Sequence, residues 1–289
     1  MLRVFDMFSG FGGFHQACEK VGMEIIAYCE INKWAKKFYN QAFNTEGVKC
    51  FDDATKINTR ELPNFDLLCA GFPCQAFSIA GKRQGFNDTR GSLFFEVARI
   101  LKDKRPRYFV LENVKGLLNH EGGKTFVTII KTLSDLGYNV EWALLNSKYF
   151  GVPQNRERVF IIGYLGKRSP GKIFPIREIT KSNNLENKKE TIIYWKNSKE
   201  KWVEEQKNYV VTIKTQSDLC RQPLIKIENK IRKLTPLECF RLQGFSDEVF
   251  NKGSQGISDA QLYKGAGNSV TVNVVYEIVK KVEVNKCGE

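Results

Sequence analysis

The sequence predicts an α/β protein built on a parallel sheet, followed by a second, smaller and more basic unit. Three observations carry that expectation. Apolar runs of strand length alternate with runs of helix length through residues 1–166. A glycine-rich turn, Ser9-Gly10-Phe11-Gly12-Gly13, stands between the first such strand and the first helix. Beyond Gly166 the chain turns polar, rich in Lys and Asn, and only weakly periodic. Strands that alternate with helices imply a parallel sheet whose crossovers are helical.

Taken in order, residues 2–8 read as a strand, 14–21 as a helix, 25–30 as a strand and 34–43 as a helix. Residues 65–70 form an apolar strand that ends in Gly71-Phe72-Pro73-Cys74. Over 93–101 the apolar residues Leu93, Phe94, Val97, Ala98, Ile100 and Leu101 make a helical stripe. Residues 108–111 follow as a strand, 125–136 as a helix and 159–164 as a strand. In the polar region 210–213 is a short strand, then 237–242 is helix-like and 270–282 is a closing helix. The expected division is a large unit over 1–166, completed by 265–289, and a small unit over 167–264.

A hydrophobic fraction of 42% over 289 residues suits a globular chain with a sizeable core and excludes a disordered one. Net charge is +13. Residues 167–231 hold 15 Lys or Arg against 8 Asp or Glu, a net of +7. That concentration suits a surface that faces phosphates, with an ordinary lysine-rich surface as the alternative. Eight cysteines are scattered without C-x-x-C spacing, so reduced thiols are expected rather than a zinc or redox site. Only His15 and His120 are present, and each reads as a satisfied surface or loop histidine. No basic leader precedes an apolar run and no stretch approaches membrane-spanning length. The expectation is a cytoplasmic protein with no membrane and no metal.

Several residues stand where chemistry is usually placed. Glu30 ends the second strand, 20 residues after Gly10. A carboxylate there commonly holds a ribose diol. The dinucleotide pattern G-x-G-x-x-G fails, because His15 occupies its third glycine. Asp53 follows another short apolar run, and could meet an exocyclic amine or simply be a solvated loop acid. Cys74 sits on a Gly/Pro turn just past a strand, where ligands gather in open α/β sheets. Glu112 directly follows the strand 108–111; a carboxylate there can have its pKa raised by desolvation and then donate a proton. Arg156 and Arg158, at i and i+2, point the same way on a strand and could grip a phosphate or a carbonyl oxygen, or form an ion-pair ladder with Glu157.

In this order the motifs resemble those of the DNA (cytosine-5) methyltransferase family, of the bacterial or phage restriction-modification type. Asp6 to Gly13 resembles its cofactor motif, and Gly71-Phe72-Pro73-Cys74-Gln75 its nucleophile motif. Glu112-Asn113-Val114 and Gln154 to Arg158 resemble the next two. Arg232 to Cys239 and Gly267-Asn268-Ser269-Val270 resemble the last two. The resemblance implies a Rossmann-like S-adenosylmethionine-dependent large domain and a small target-recognition domain, with double-stranded DNA between them. It implies that Phe8, Gly10 and Gly12 lie along S-adenosylmethionine and that Glu30 holds its ribose. Ile31 would pack on the adenine, Asp53 contact its amine, and Asn268 and Ser269 close the methionine end. It makes Cys74 the nucleophile at carbon 6 of a flipped-out cytosine, with Glu112 on ring nitrogen 3 and the exocyclic amine. Arg156 and Arg158 complete the catalytic set, Arg158 on the carbonyl oxygen at carbon 2. Ser78, Lys82, Arg83, Arg90 and Thr212 are the implied DNA contacts. The protein is expected to be monomeric, with any cognate restriction endonuclease acting separately. The competing readings are a transfer-RNA cytosine-5 methyltransferase of the same fold and a catalytically silent DNA-binding relative.

Overall fold

The computed structural model describes residues 1–73, 93–166, 172–176, 190–196, 201–213, 223–227 and 230–286. Its centre is a seven-stranded sheet. The strands are β1 (Arg3–Met7), β2 (Glu24–Cys29), β3 (Lys49–Phe51), β4 (Leu67–Gly71), β5 (Tyr108–Val114), β6 (Tyr138–Asn146) and, after the short β7 (Gln154–Asn155), β8 (Glu157–Leu165). The order is β3-β2-β1-β4-β5-β8-β6. β1 to β5 run parallel, and β8 is inserted antiparallel between β5 and β6.

Strict alternation divides each central strand between two cores. Val4, Leu67, Cys69, Tyr108, Val110, Phe160 and Ile162 face one side. Phe5, Leu68, Ala70, Phe109, Leu111, Val159 and Ile161 face the other. The first core is covered by α1 (Gly13–Glu19), α2 (Lys33–Ala42) and the closing α8 (Val272–Lys286), the second by α3 (Leu93–Lys104) and α4 (Lys124–Asp135). The stripe read in the sequence is the buried face of α3: Phe94, Val97, Ala98, Ile100 and Leu101 are fully buried. Burying each larger one contributes roughly 1.5–3 kcal/mol. Asn32 starts α2 by accepting from the N–H groups of Trp34 and Ala35 at 2.9 and 3.1 Å.

Two regions differ from the expectation. β6 has no counterpart in the sequence reading. It is a half-buried edge strand whose apolar run is interrupted by Glu141, and that carboxylate accepts from the N–H groups of Ile173 and Phe174. The polar region holds a four-stranded antiparallel sheet where one short strand was expected. Its order is β10-β9-β12-β13, with β9 (Glu190–Lys196), β10 (Lys201–Lys207), β12 (Leu224–Ile227) and β13 (Lys230–Lys233). The expected strand, β11 (Val210–Val211), pairs with β7 instead.

The helices α5 (Pro236–Leu242), α6 (Asp247–Gly253) and α7 (Asp259–Asn268) lead back to the large sheet. They pack on α1 and α2 although residues up to 264 were expected in the small unit. Phe240 stacks on Phe38 at 5.3 Å and tilts against Phe11 at 5.7 Å. Gly265 and Gly253 let this packing close: a Cβ on either would lie within 3 Å of the Phe11 or Phe38 ring.

Candidate active site

Phe8, Gly10, Gly12, Glu30, Asp53 and Glu112 lie at or near the C-terminal ends of β1, β2, β3 and β5, and Arg158 stands opposite Val114 near the start of the antiparallel β8. β1 leads into the glycine-rich turn, whose backbone is left-handed at Phe8, Gly10 and Gly12. Gly12 is obligatory on two counts, since its φ is +83° and a Cβ would lie 2.2 Å from the Phe43 ring. The turn brings the Gly10 N–H to Glu30 Oε2 at 2.8 Å, while Asn32 N–H donates to Oε1 at 2.7 Å. The Glu30 carboxylate is thus oriented through both oxygens. Burial raises its pKa, and these backbone donors pull it back down.

Next to Glu30, Ile31 is 76% exposed, an apolar side chain of this size left open at the strand end. Asp53 lies on the next strand end. Its Oδ1 accepts from Thr55 N–H and from the Thr55 hydroxyl, at 3.0 and 2.7 Å, and these bonds hold its carboxyl below the usual range. Asp53 therefore caps its own turn, with Oδ2 directed to Lys56 at 3.7 Å. The oriented carboxylate, the open Ile31 and the close backbone turn fit a nucleoside with a ribose diol.

Beneath this turn is a buried polar cluster that sequence reasoning missed. Asp6 is fully buried. Tyr39 donates to its Oδ2 at 3.3 Å, and the Tyr39 hydroxyl also meets His15 Nδ1 at 2.7 Å. Burial pushes the Asp6 carboxyl up to about 8 and pushes His15 down to about 3. His15 is satisfied, as expected, but it is 4% exposed and stacked on Phe43 rather than on the surface.

Three strands from β2, Glu112 lies near the end of β5, beside Gly71 of β4. A Cβ on Gly71 would stand 3.5 Å from Glu112 Oε2, so the carboxylate lies over that glycine. Arg158 Nε meets Glu112 Oε1 at 3.0 Å, with both side chains largely buried. Burial raises the Glu112 pKa, and the charges of Arg158 and then Arg156 lower it. Asn113, given no role in the sequence reading, donates from Nδ2 to the Phe72 carbonyl at 2.9 Å. It thereby ties the end of β5 to the turn that leads to Cys74. Cys74 itself, with Ser78, Lys82, Arg83 and Arg90, lies outside the described residues.

Arg156 has a different position from the one expected. It is 2% exposed, and its Nη2 donates to the carbonyls of Gly267 and Ser269 at 3.0 and 2.8 Å. Burial lowers its pKa and the Glu112 charge raises it again; a guanidinium so placed stays protonated. Arg156 is a positioning residue that fastens the 267–270 segment behind Glu112. The alternative of an ion-pair ladder with Glu157 does not form among the described residues; Glu157 pairs with Lys115 at 2.9 Å. Ser269 is buried and its Oγ donates to Gly265 O, whereas Asn268 is exposed. Val270 reaches both regions: a Cβ on Gly13 would lie 2.6 Å from it and one on Gly71 3.8 Å from it.

Gln154 and Gln243 are buried junctions that periodicity could not reveal. Gln154 donates to Leu242 O at 2.9 Å and accepts from Ile213 N–H at 3.2 Å. Gln243 donates to Ala266 O and accepts from the Thr271 hydroxyl. Thr212, beside Ile213, donates its hydroxyl proton to Asn155 O at 2.7 Å. Among the described residues no helix is long and apolar enough to cross a membrane.

A model of the family described as C-5 cytosine-specific DNA methylase matches residues 2–217 and 177–284. The chain is 41% identical to the type II methyltransferase M1.ScrFI of Lactococcus lactis subsp. cremoris, over 97% of this chain and 77% of that one. It is 37% identical to the type II methyltransferase M.NgoBI of Neisseria gonorrhoeae, over 98% and 93%. The structure of the S. pombe Dnmt2 methyltransferase superposes with a TM-score of 0.76 at 20% identity, over the whole of both chains. That last likeness is one of fold.

Proposed function

The chain belongs to the C-5 cytosine-specific DNA methylase family, and from that premise we propose how its own residues carry out the reaction. The reaction is S-adenosylmethionine-dependent methylation of cytosine at carbon 5 in DNA. When bound, S-adenosylmethionine supplies an electrophilic methyl group. Glu30 would hold its ribose, Ile31 would pack on the adenine and the Phe8–Gly12 turn would lie along it. Asp53 would meet the adenine amine, and Asn268 with Ser269 would close the methionine end.

Carbon 5 of cytosine is a weak nucleophile, and covalent addition at carbon 6 is what activates it. The Cys74 thiolate makes that bond. Glu112 faces ring nitrogen 3 and the exocyclic amine and stabilises the charge that addition pushes into the ring. Arg158 holds the carbonyl oxygen at carbon 2. Once carbon 5 carried the methyl group, transfer of its proton to water would expel Cys74 as the thiolate and restore the ring. None of this fits a base inside a duplex, so the cytosine is flipped out at a cost of roughly a few kcal/mol. Ser78, Lys82, Arg83 and Arg90 grip the backbone around it. The basic region over 167–233 supplies target recognition, with Thr212 near the flipped nucleotide. The protein acts as a cytoplasmic monomer, and any cognate restriction endonuclease acts separately.

The observation that carries this reading is the buried Glu112–Arg158 pair beside Gly71, three residues before Cys74. A carboxyl whose pKa burial raises can offer a proton to a ring nitrogen, and the guanidinium beside it can take a carbonyl oxygen. The decisive experiment places 5-fluorocytosine at the target, itself identified by bisulfite sequencing. Fluorine cannot leave carbon 5 as a cation, so a denaturation-resistant adduct carrying the methyl group is expected on Cys74. An adduct on another cysteine, or full turnover by Cys74→Ser, would refute the mechanism.

A further inference from the structure

Thr212 is the one implied DNA contact among the described residues, yet its hydroxyl proton is committed to Asn155 O. Phosphate oxygens only accept hydrogen bonds, so a donor is needed at this junction. Lys148 offers one. It lies in the 3-10 turn Ser147–Tyr149 that follows β6. Asn146, the last residue of β6, pairs with Glu157 of β8, and the neighbouring Arg158 pairs with Val114 of β5. The turn thus shares the sheet edge of Glu112, two strands away.

Its backbone is clamped to the segment that carries the arginines. Ser147 N–H donates to Arg156 O at 3.0 Å and Ser147 Oγ donates to Gln154 O at 2.6 Å. Asn146 Nδ2 donates to Asn155 Oδ1 at 2.6 Å and its Oδ1 accepts from Lys148 N–H at 3.3 Å. The ammonium is directed by two rings, its Nζ lying 4.7 Å from the centre of Tyr149 and 5.3 Å from that of Tyr209. Tyr209 is fixed in turn, because the next residue, Val210, donates its N–H to Pro153 O at 2.7 Å. Aromatic faces hold an ammonium without neutralising it. Among the described residues no carboxylate pairs with Lys148. A restrained, unneutralised cation at the meeting point of the large sheet and the β7–β11 junction suits a fixed anion.

We propose that Lys148, held between Tyr149 and Tyr209, contacts a backbone phosphate of duplex DNA, a role that rests on the DNA methyltransferase reading. The contact positions the duplex and reads no sequence. The test is binding of a labelled random-sequence duplex between 50 and 200 mM salt. Lys148→Met is expected to reduce the log–log salt slope by about 0.9, which shrinks the affinity loss over that range by about 3.5-fold. Lys148→Arg keeps the charge and is expected to restore the slope. Unchanged adenosylhomocysteine binding in both variants separates this effect from a folding defect. A wild-type slope in Lys148→Met, or a reduced slope that Lys148→Arg leaves unrestored, would overturn the contact. A wild-type protein with no salt response, or a slope change seen with transfer RNA alone, would overturn the DNA reading and the contact with it.

Discussion

Glu30 and Glu112 are two carboxylates close to strand ends on one sheet edge, and their partners make them different reagents. Both have pKa values raised by burial. Glu30 is held by the N–H groups of Gly10 and Asn32, one on each oxygen. Those donors are neutral and fixed in the backbone, so they orient a charged acceptor suited to a diol. Glu112 is held by the guanidinium of Arg158, with Arg156 behind it. Burial and two cations pull its protonation in opposite directions, which suits a group that shares a proton with a base. On the proposed reading, the backbone makes a binding carboxylate and the arginines a catalytic one.

The largest expected effect breaks the catalytic side. Glu112→Gln cannot share a proton, and adduct formation on 5-fluorocytosine DNA should slow by about 10²–10³-fold. Adenosylhomocysteine affinity, measured by calorimetry, should remain; its loss would mean that the two carboxylates are not separable. Glu30→Ala should do the reverse. Losing hydrogen bonds to a charged acceptor costs about 1.5–3 kcal/mol, or roughly 10–150-fold in cofactor affinity. A variant that binds normally would remove Glu30 from the ribose site.

Arg156→Lys sharpens the comparison, because Arg156 fastens the segment whose Val270 touches both regions. A lysine cannot bridge both carbonyls from one planar group. Smaller losses in both cofactor affinity and turnover are expected, together with a lower melting temperature. A defect confined to one side would contradict that coupling.

The smallest effect is on stability. Asp6, raised from 3.8 to about 8, binds a proton in the folded state that the unfolded chain releases above 3.8. Its contribution therefore falls as pH rises from about 4 to 8. His15, lowered from 6.5 to about 3, acts oppositely, adding stability as pH rises from 3 to 6.5. The two offset each other between about 4 and 6.5, and Asp6 alone remains between 6.5 and 8. Thermal melts should show a decline across that upper window in the wild type and a flatter response in Asp6→Asn. Identical slopes would mean that Asp6 does not keep its proton.

The strands and turns that present Glu30, Glu112 and Gly71 were legible in the sequence, because buried parallel strands are short apolar runs and glycine turns are local. The hairpins β9–β10 and β12–β13 were not. A strand such as Lys-Trp-Val-Glu-Glu-Gln-Lys is defined by its ladder partner and not by its own pattern. The partners of Asn113, Gln154 and Gln243 were not legible either, since each works by reaching a residue far along the chain.

By itself the sequence determined the kinds and order of the chemical groups: the Gly10–Gly13 turn, Glu30, Cys74, Glu112 and Arg158, each at the end of a recognisable element. Spacing and periodicity are properties of neighbouring residues, and they survive without the fold. The tertiary structure decided what those groups face. It turned Arg156 inward onto Gly267 and Ser269, buried His15 against Phe43, and set Asp6 beneath the cofactor turn. Burial and hydrogen-bond partners arise only when distant segments meet, and they set the protonation that the chemistry uses.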